Sequence, residues 1–151
     1  MTMSQWLTIN ADQVGRAPGK QETHKGVHVN IVMSPYDIPS AVRGGLDERL
    51  GRFVIEFKYI DEEPWETKNV HQPFAVRVGR HTNRLVGIEI DVRGLKADAI
   101  SLKVIVPKVQ KVIDDLANQP QGRSRQGNYS VAKEVINERS GQLFESLVAA
   151  G

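Results

Sequence analysis

The stretch that decides the fold is Ala41–Phe57, AVRGGLDERLGRFVIEF, because the chain writes a close copy of it at Ala75–Ile90, AVRVGRHTNRLVGIEI. In the first copy Val42 and Leu46 precede the polar DERLG, after which Phe53, Ile55, Phe57 and Tyr59 alternate with Val54, Glu56, Lys58 and Ile60. A period of two puts alternate side chains on opposite faces of a strand, and Asp47 and Gly51 supply the turn chemistry of a longer hairpin loop. In the second copy Phe74, Val76 and Val78 lead into GRHTN. Val86, Ile88, Ile90 and Val92 then alternate with Leu85, Gly87, Glu89 and Asp91. Asn83 stands where the first copy has Gly51, and asparagine is among the few residues that tolerate a left-handed backbone. The reading is two related hairpins, Val42–Leu46 with Phe53–Tyr59 and Phe74–Val78 with Leu85–Val92. They form an antiparallel β-meander joined by DEEPWETKNVHQP (61–73), whose prolines and charges suit an exposed crossover.

Outward from the hairpins, Val27, Val29, Ile31 and Met33 alternate with His28, Asn30 and Val32 as an additional strand, which SPYDIP (34–39) stops because each proline fixes φ and removes a ladder donor. Before it, GRAPGKQETHKG (15–26) is polar and glycine-bearing and follows a short strand expected at Trp6–Ile9. ISLKVIV (100–106) reads as a last strand. Pro107 then opens a helix to Ala117, with Val109, Val112, Ile113 and Leu116 at helical spacing. NQPQGRSRQGN (118–128) reads as a flexible loop. Beyond it Ser130 caps a helix in which Ala132, Ile136, Leu143 and Leu147 form one stripe, weakened by Gly141; NERSGQLF (137–144) echoes DERLGRFV (47–54), so a third hairpin is the alternative. The expected fold class is α+β, an antiparallel β-meander of two related hairpins plus an additional strand, packed by one or two C-terminal helices. The expected division is a partly flexible 1–25, an α+β domain over 26–118, a linker over 119–129, and a helix over 130–151 that docks on the domain or on a partner.

The segment NRLVGIEIDV (83–92) resembles the second hairpin strand of small uncharacterised bacterial β-meander domains whose sheet carries a GRLVGIEI type of ending. That resemblance implies a compact meander and carries no established activity with it.

Composition bounds the function classes. With 151 residues, 40% hydrophobic and 25% charged, the chain is long enough to bury a core. No apolar run reaches the ~18 residues of a membrane span, and Met1–Asn10 lacks the pattern of a signal peptide, so a cytoplasmic protein with no membrane partner is expected. The absence of cysteine excludes disulfides, thiolate metal sites and a thiol nucleophile. Neither GxSxG, GxGxxG nor GxxxxGK occurs. His24 and His28 stand four apart, but in an extended chain that spans roughly 13 Å, too far to share one ion unless Gly26 folds the segment back. His71 and His81 fall in expected loops. No cofactor and no metal site is expected.

Strand parity puts His28, Asn30, Glu56, Lys58, Arg77, Glu89 and Asp91 opposite the apolar sets. They form either a solvated face of cross-strand ion pairs or a binding face built on His28, Glu56, Lys58, Arg77 and Glu89, with Glu56 and Glu89 as candidate acid/base carboxylates of a small enzyme. A nucleic-acid interface would use Arg77, Arg80, Arg84, Arg93, Arg123 and Arg125 on phosphates and Tyr129 for stacking. The net charge of +2 and aromatic content of 6% weigh against it. The preferred expectation is a non-enzymatic interaction domain that binds a protein partner or a second copy. Leu143, Phe144 and Leu147 are its expected oligomer contacts, because sheet edges and surplus apolar segments seek cover.

Overall fold

The computed structural model describes residues 2–3, 5–9, 21–24, 27–30, 34–96, 100–120 and 125–150. The strands are β1 (Thr2–Met3), β2 (Leu7–Thr8), β3 (Gln21–His24), β4 (Val27–Asn30), β5 (Ala41–Asp47), β6 (Arg52–Lys58), β7 (Trp65–His71), β8 (Phe74–Gly79) and β9 (Leu85–Asp91). The helices are α1 (Leu102–Ala117), α2 (Gln126–Glu138), α3 (Ser140–Leu143) and α4 (Glu145–Ala150). The architecture is α+β with an antiparallel sheet and C-terminal helices, as the two hairpins imply. One sheet runs β1-β5-β6-β9-β8-β7, with β2 also on β5; β3 and β4 form a separate two-stranded sheet.

Both expected hairpins are present, with Val42 opposite Phe57 and Leu46 opposite Phe53 in the first, and Phe74 opposite Ile90 and Val76 opposite Ile88 in the second. Gly51 and Asn83 take φ of 64° and 60°, so the turn keeps its left-handed residue when glycine becomes asparagine. The hairpins abut through β6 and β9, where Ile55 faces Ile88. Advancing one copy by 33 residues gives the other around this point, so Glu56 corresponds to Glu89, and the paired strands are related by a local two-fold through Ile55 and Ile88.

Several elements differ from the expected ones. The link 61–73 is not all crossover: it contains β7, which pairs with β8 from Trp65–Gly79 to His71–Phe74. Its alternation is faint because most of its residues are exposed and only Lys68 and Val70 are half-buried. Val86 does not share the core face with Ile88. Arg77 faces Gly87 while Val78 faces Leu85, so Val86 is the extra residue of a bulge, and Leu85 is the residue buried. Of the strand expected over 27–33, Val27–Asn30 pairs with Gln21–His24 off the main sheet, and 31–33 lie outside the described residues. In the expected flexible 1–25, Thr2–Met3 and Leu7–Thr8 instead extend the main sheet along β5; 10–20 and 25 lie outside the described residues.

The expected last strand 100–106 is the start of α1, with Pro107 inside the helix. Ile105 and Val106 continue the stripe of Val109, Val112, Ile113 and Leu116 one turn toward the N-terminus, and that burial offsets the one backbone bond the proline removes. α2 starts at Gln126 rather than Ser130, because Asn128 and Tyr129 are buried; within the expected linker, 121–124 lie outside the described residues. The tail is helical rather than a third hairpin, but Arg139 and Phe144 interrupt it. No helix among the described residues is long and apolar enough to cross a membrane.

The helices cover one face of the sheet. Leu143, Phe144 and Leu147, expected as oligomer contacts, are fully buried in the chain's own core, with Phe144 stacked on Phe53 at 5.3 Å. They are therefore not available to a partner in this conformation. Gly44 makes this docking possible, since a Cβ there would collide with the Leu143 carbonyl.

Gly44→Ala is expected to destabilise strongly by displacing α3. Gly141→Ala, whose added methyl meets nothing within 4 Å, should be neutral or stabilise by up to ~1 kcal/mol; urea melts of both variants check the contrast. Phe57→Ala should cost about 3–5 kcal/mol and the exposed Lys58→Ala about 0.5 kcal/mol or less in the same melts, and the reverse ordering would mean the faces are exchanged.

Candidate functional site

The face opposite the helices carries the polar residues that parity assigns to it. Three of the four expected side chains on the main sheet, Glu56, Arg77 and Glu89, form one network; Lys58 lies beside it with its Nζ 5.8 Å from the Trp6 ring centre. His28 lies on β4, its backbone opposite Thr23 in the separate two-stranded sheet.

The repeated phrase explains the layout. In each copy an Ala-Val-Arg strand supplies an arginine and an Ile-Glu strand supplies a glutamate: Arg43 Nη2 donates to Glu56 Oε2 at 2.9 Å, and Arg77 Nε to Glu89 Oε2 at 3.2 Å. On the outer side of each, a tryptophan lies against the guanidinium, Trp6 with Arg43 at 4.3 Å and Trp65 with Arg77 at 4.5 Å. Arg and indole planes attract through the ring quadrupole. The two halves read Trp6-Arg43-Glu56 and Trp65-Arg77-Glu89. They are joined because Arg77 Nη1 also approaches Glu56 Oε1 at 3.7 Å. That reach depends on Gly87, where a Cβ would stand 3.1 Å from Arg77 Cδ and 2.9 Å from the Ile55 carbonyl oxygen. Arg52 and Thr67 complete the shell of Glu89, each donating at 3.4 Å.

Two shallow clefts open on this face. One of about 390 Å³ lies among Trp6, Arg43, Glu56, Lys58 and Trp65; another of about 420 Å³ lies at the β7 side among Trp65, Thr67, Asn69, Arg77 and Glu89. Sequence reasoning missed Arg43, Arg52, Trp6 and Trp65. The shared Ala-Val-Arg of the two copies was the signal for Arg43; no local pattern marked the tryptophans.

The expected acid/base pair does not stand free, because Glu56 and Glu89 share Arg77 and each has a second arginine. Among the described residues no group of three or more His, Asp or Glu side chains is placed to hold a metal ion. His71 approaches Asp115 of α1 at 3.6 Å.

Arg84, expected on phosphates, is 1% exposed. Its five donors meet five acceptors: Nε the Thr82 hydroxyl, Nη1 the Tyr36 carbonyl and Asp61 Oδ1, Nη2 the Asp61 carbonyl and Glu63 Oε2. Burial acts to lower its pKa, and the Asp61 and Glu63 carboxylates more than reverse this. Tyr129, expected to stack on bases, is buried and donates to the Asn83 carbonyl at 2.7 Å. Arg125 pairs with Asp37 at 3.1 Å, Arg80 and Arg93 are exposed, and Arg123 lies outside the described residues. Of the described arginines named for a nucleic-acid interface, Arg84 is thus buried, and Arg77 and Arg125 are paired with carboxylates.

Protein-family models, curated proteins and solved structures give no match to this chain.

Glu63 binds the Arg84 system from below. Burial acts to raise its pKa, but donation from the Thr82 hydroxyl, the His81 and Thr82 amides and Arg84 lowers it from 4.5 to about 2. A carboxyl depressed in the folded state stabilises fully above its unfolded value and loses that contribution as pH falls through the folded one. The chain should therefore lose stability between about pH 4.5 and 2 through this group. Thermal melts across that range should fall more steeply for the wild type than for Glu63→Gln, and parallel slopes would contradict the assignment.

Proposed function

We propose that the protein is a non-enzymatic interaction domain that associates with a second copy of itself through the Trp65 side of its sheet. The observation that carries this reading is β7. It ends the main sheet, most of its residues are exposed, and Trp65 at its start keeps 43% of its surface exposed. A sheet edge presents a row of backbone donors and acceptors that a further strand can satisfy. The apolar tail cannot serve instead, since Leu143, Phe144 and Leu147 already fill the core. Exposed tryptophan beside arginine is the composition that concentrates binding energy at protein interfaces.

An enzymatic reading is less favoured because the carboxylates of the open face are engaged by arginines. A nucleic-acid reading is less favoured because Arg84, Arg77 and Arg125 are spent on acidic partners. Sedimentation equilibrium of the intact chain over a wide concentration range should show a monomer–dimer equilibrium. Trp65→Ala should weaken it by more than about 1 kcal/mol while leaving the circular dichroism spectrum unchanged. A monomer at every concentration would overturn the reading.

A further inference from the structure

We infer that two copies join edge to edge along β7, antiparallel about a two-fold axis through Thr67; this rests on the self-association proposed above and supplies its geometry. One hydrogen bond fixes which backbone groups face outward. The Arg80 amide donates to the Pro64 carbonyl at 2.8 Å, and Trp65 stands opposite Gly79, so Pro64 and Arg80 form a hydrogen-bonded pair. Bonded and non-bonded pairs alternate along an antiparallel ladder. Glu66 and Lys68 therefore turn their N–H and C=O groups toward β8, while Trp65, Thr67 and Asn69 turn theirs to the open edge.

Charge then selects the register. With the axis through Glu66, two glutamates face one another; with the axis through Lys68, two lysines do. With the axis through Thr67, Glu66 of each copy faces Lys68 of the other, in non-hydrogen-bonded pairs where side chains come closest. Within one copy Lys68 Nζ already stands 3.8 Å from Glu66 Oε1, so the four charges alternate in sign across the junction. In the same register Thr67 faces Thr67, and Trp65 faces Asn69 of the second copy, so every outward-turned backbone group from 65 to 69 meets a complementary one. Pro64 at one end and the register shift between Asn69 and His71 at the other limit the pairing to this segment. An edge lysine usually guards a strand against indiscriminate pairing, and here Glu66 makes one pairing acceptable.

The junction also completes a site. The cleft of about 420 Å³ is bounded at the edge by Trp65, Thr67 and Asn69, so the two clefts become one continuous trough, with the indole of each copy opposite Asn69 of the other.

The test uses full-length Glu66→Lys and Lys68→Glu, sedimented separately and as an equimolar mixture. Each variant alone places like charges in both cross-strand pairs and should raise the dimer Kd by at least about tenfold. The mixture pairs a two-lysine strand with a two-glutamate strand and should dimerise about as tightly as the unsubstituted chain. Since the chain has no cysteine, Thr67→Cys gives an independent measurement: facing Cα atoms ~5.5 Å apart should oxidise to a disulfide-linked dimer. If the intact chain is monomeric throughout, self-association itself fails. If it dimerises but neither charge variant weakens it, the mixture stays monomeric, or Thr67→Cys does not cross-link, self-association stands and this register is overturned.

Discussion

A buried guanidinium must find an acceptor for every N–H it carries, and that demand at Arg84 organises the end of the molecule where the chain changes direction. Arg84 gathers the Tyr36 carbonyl from the turn before β5, Asp61 and Glu63 from the crossover between β6 and β7, and Thr82 from the β8–β9 loop. Tyr59 lies against its face at 4.4 Å. Asn128 then ties the same region to α2: its side chain accepts from the Leu85 amide and donates to the Asp37 carbonyl and the Tyr59 hydroxyl. Removing one partner of such a buried charge leaves the others desolvated and unpaired, which is why the node behaves as a unit. Gly79 belongs to it, because a Cβ there would overlap the Glu63 carboxylate.

With that end fixed, β7 is carried across to the far edge and β9 is left beside β6. The consequence is the doubled face, in which each half presents a tryptophan, an arginine and a glutamate in order toward the Ile55–Ile88 centre. The halves are not equivalent. The first pair is directly cross-strand, Arg43 opposite Glu56, whereas in the second hairpin Glu89 faces Ala75 and Arg77 faces Gly87, so Arg77 reaches Glu89 diagonally and extends over Gly87 to Glu56 as well. Arg77 is accordingly the better buried of the two arginines, and it sits beside the strand that ends the sheet. Ion pairing there holds the face in one arrangement and leaves the indoles and the edge as its accessible features.

What the sequence by itself determined is the part governed by local rules. Both hairpins, their left-handed turn residues Gly51 and Asn83, the α+β class and the polar face of Glu56, Arg77 and Glu89 follow from a two-residue period and turn chemistry. Those signals act over a few residues, and any fold must obey them. Tertiary structure decided the rest, for reasons that lie elsewhere in the chain. β7 has little alternation to read because most of its residues are exposed and only Val70 packs against the core. Leu85 and not Val86 enters the core because the neighbouring strand imposes a bulge. Ile105 and Val106 are helical despite their β-branched character because they complete the stripe that α1 buries. Arg84 looks in sequence like any surface base, and only the convergence of acceptors from Tyr36 to Thr82 makes it a buried keystone. Leu143, Phe144 and Leu147 look equally suited to a partner or to the core, and the space left by Gly44 settles the choice for the core.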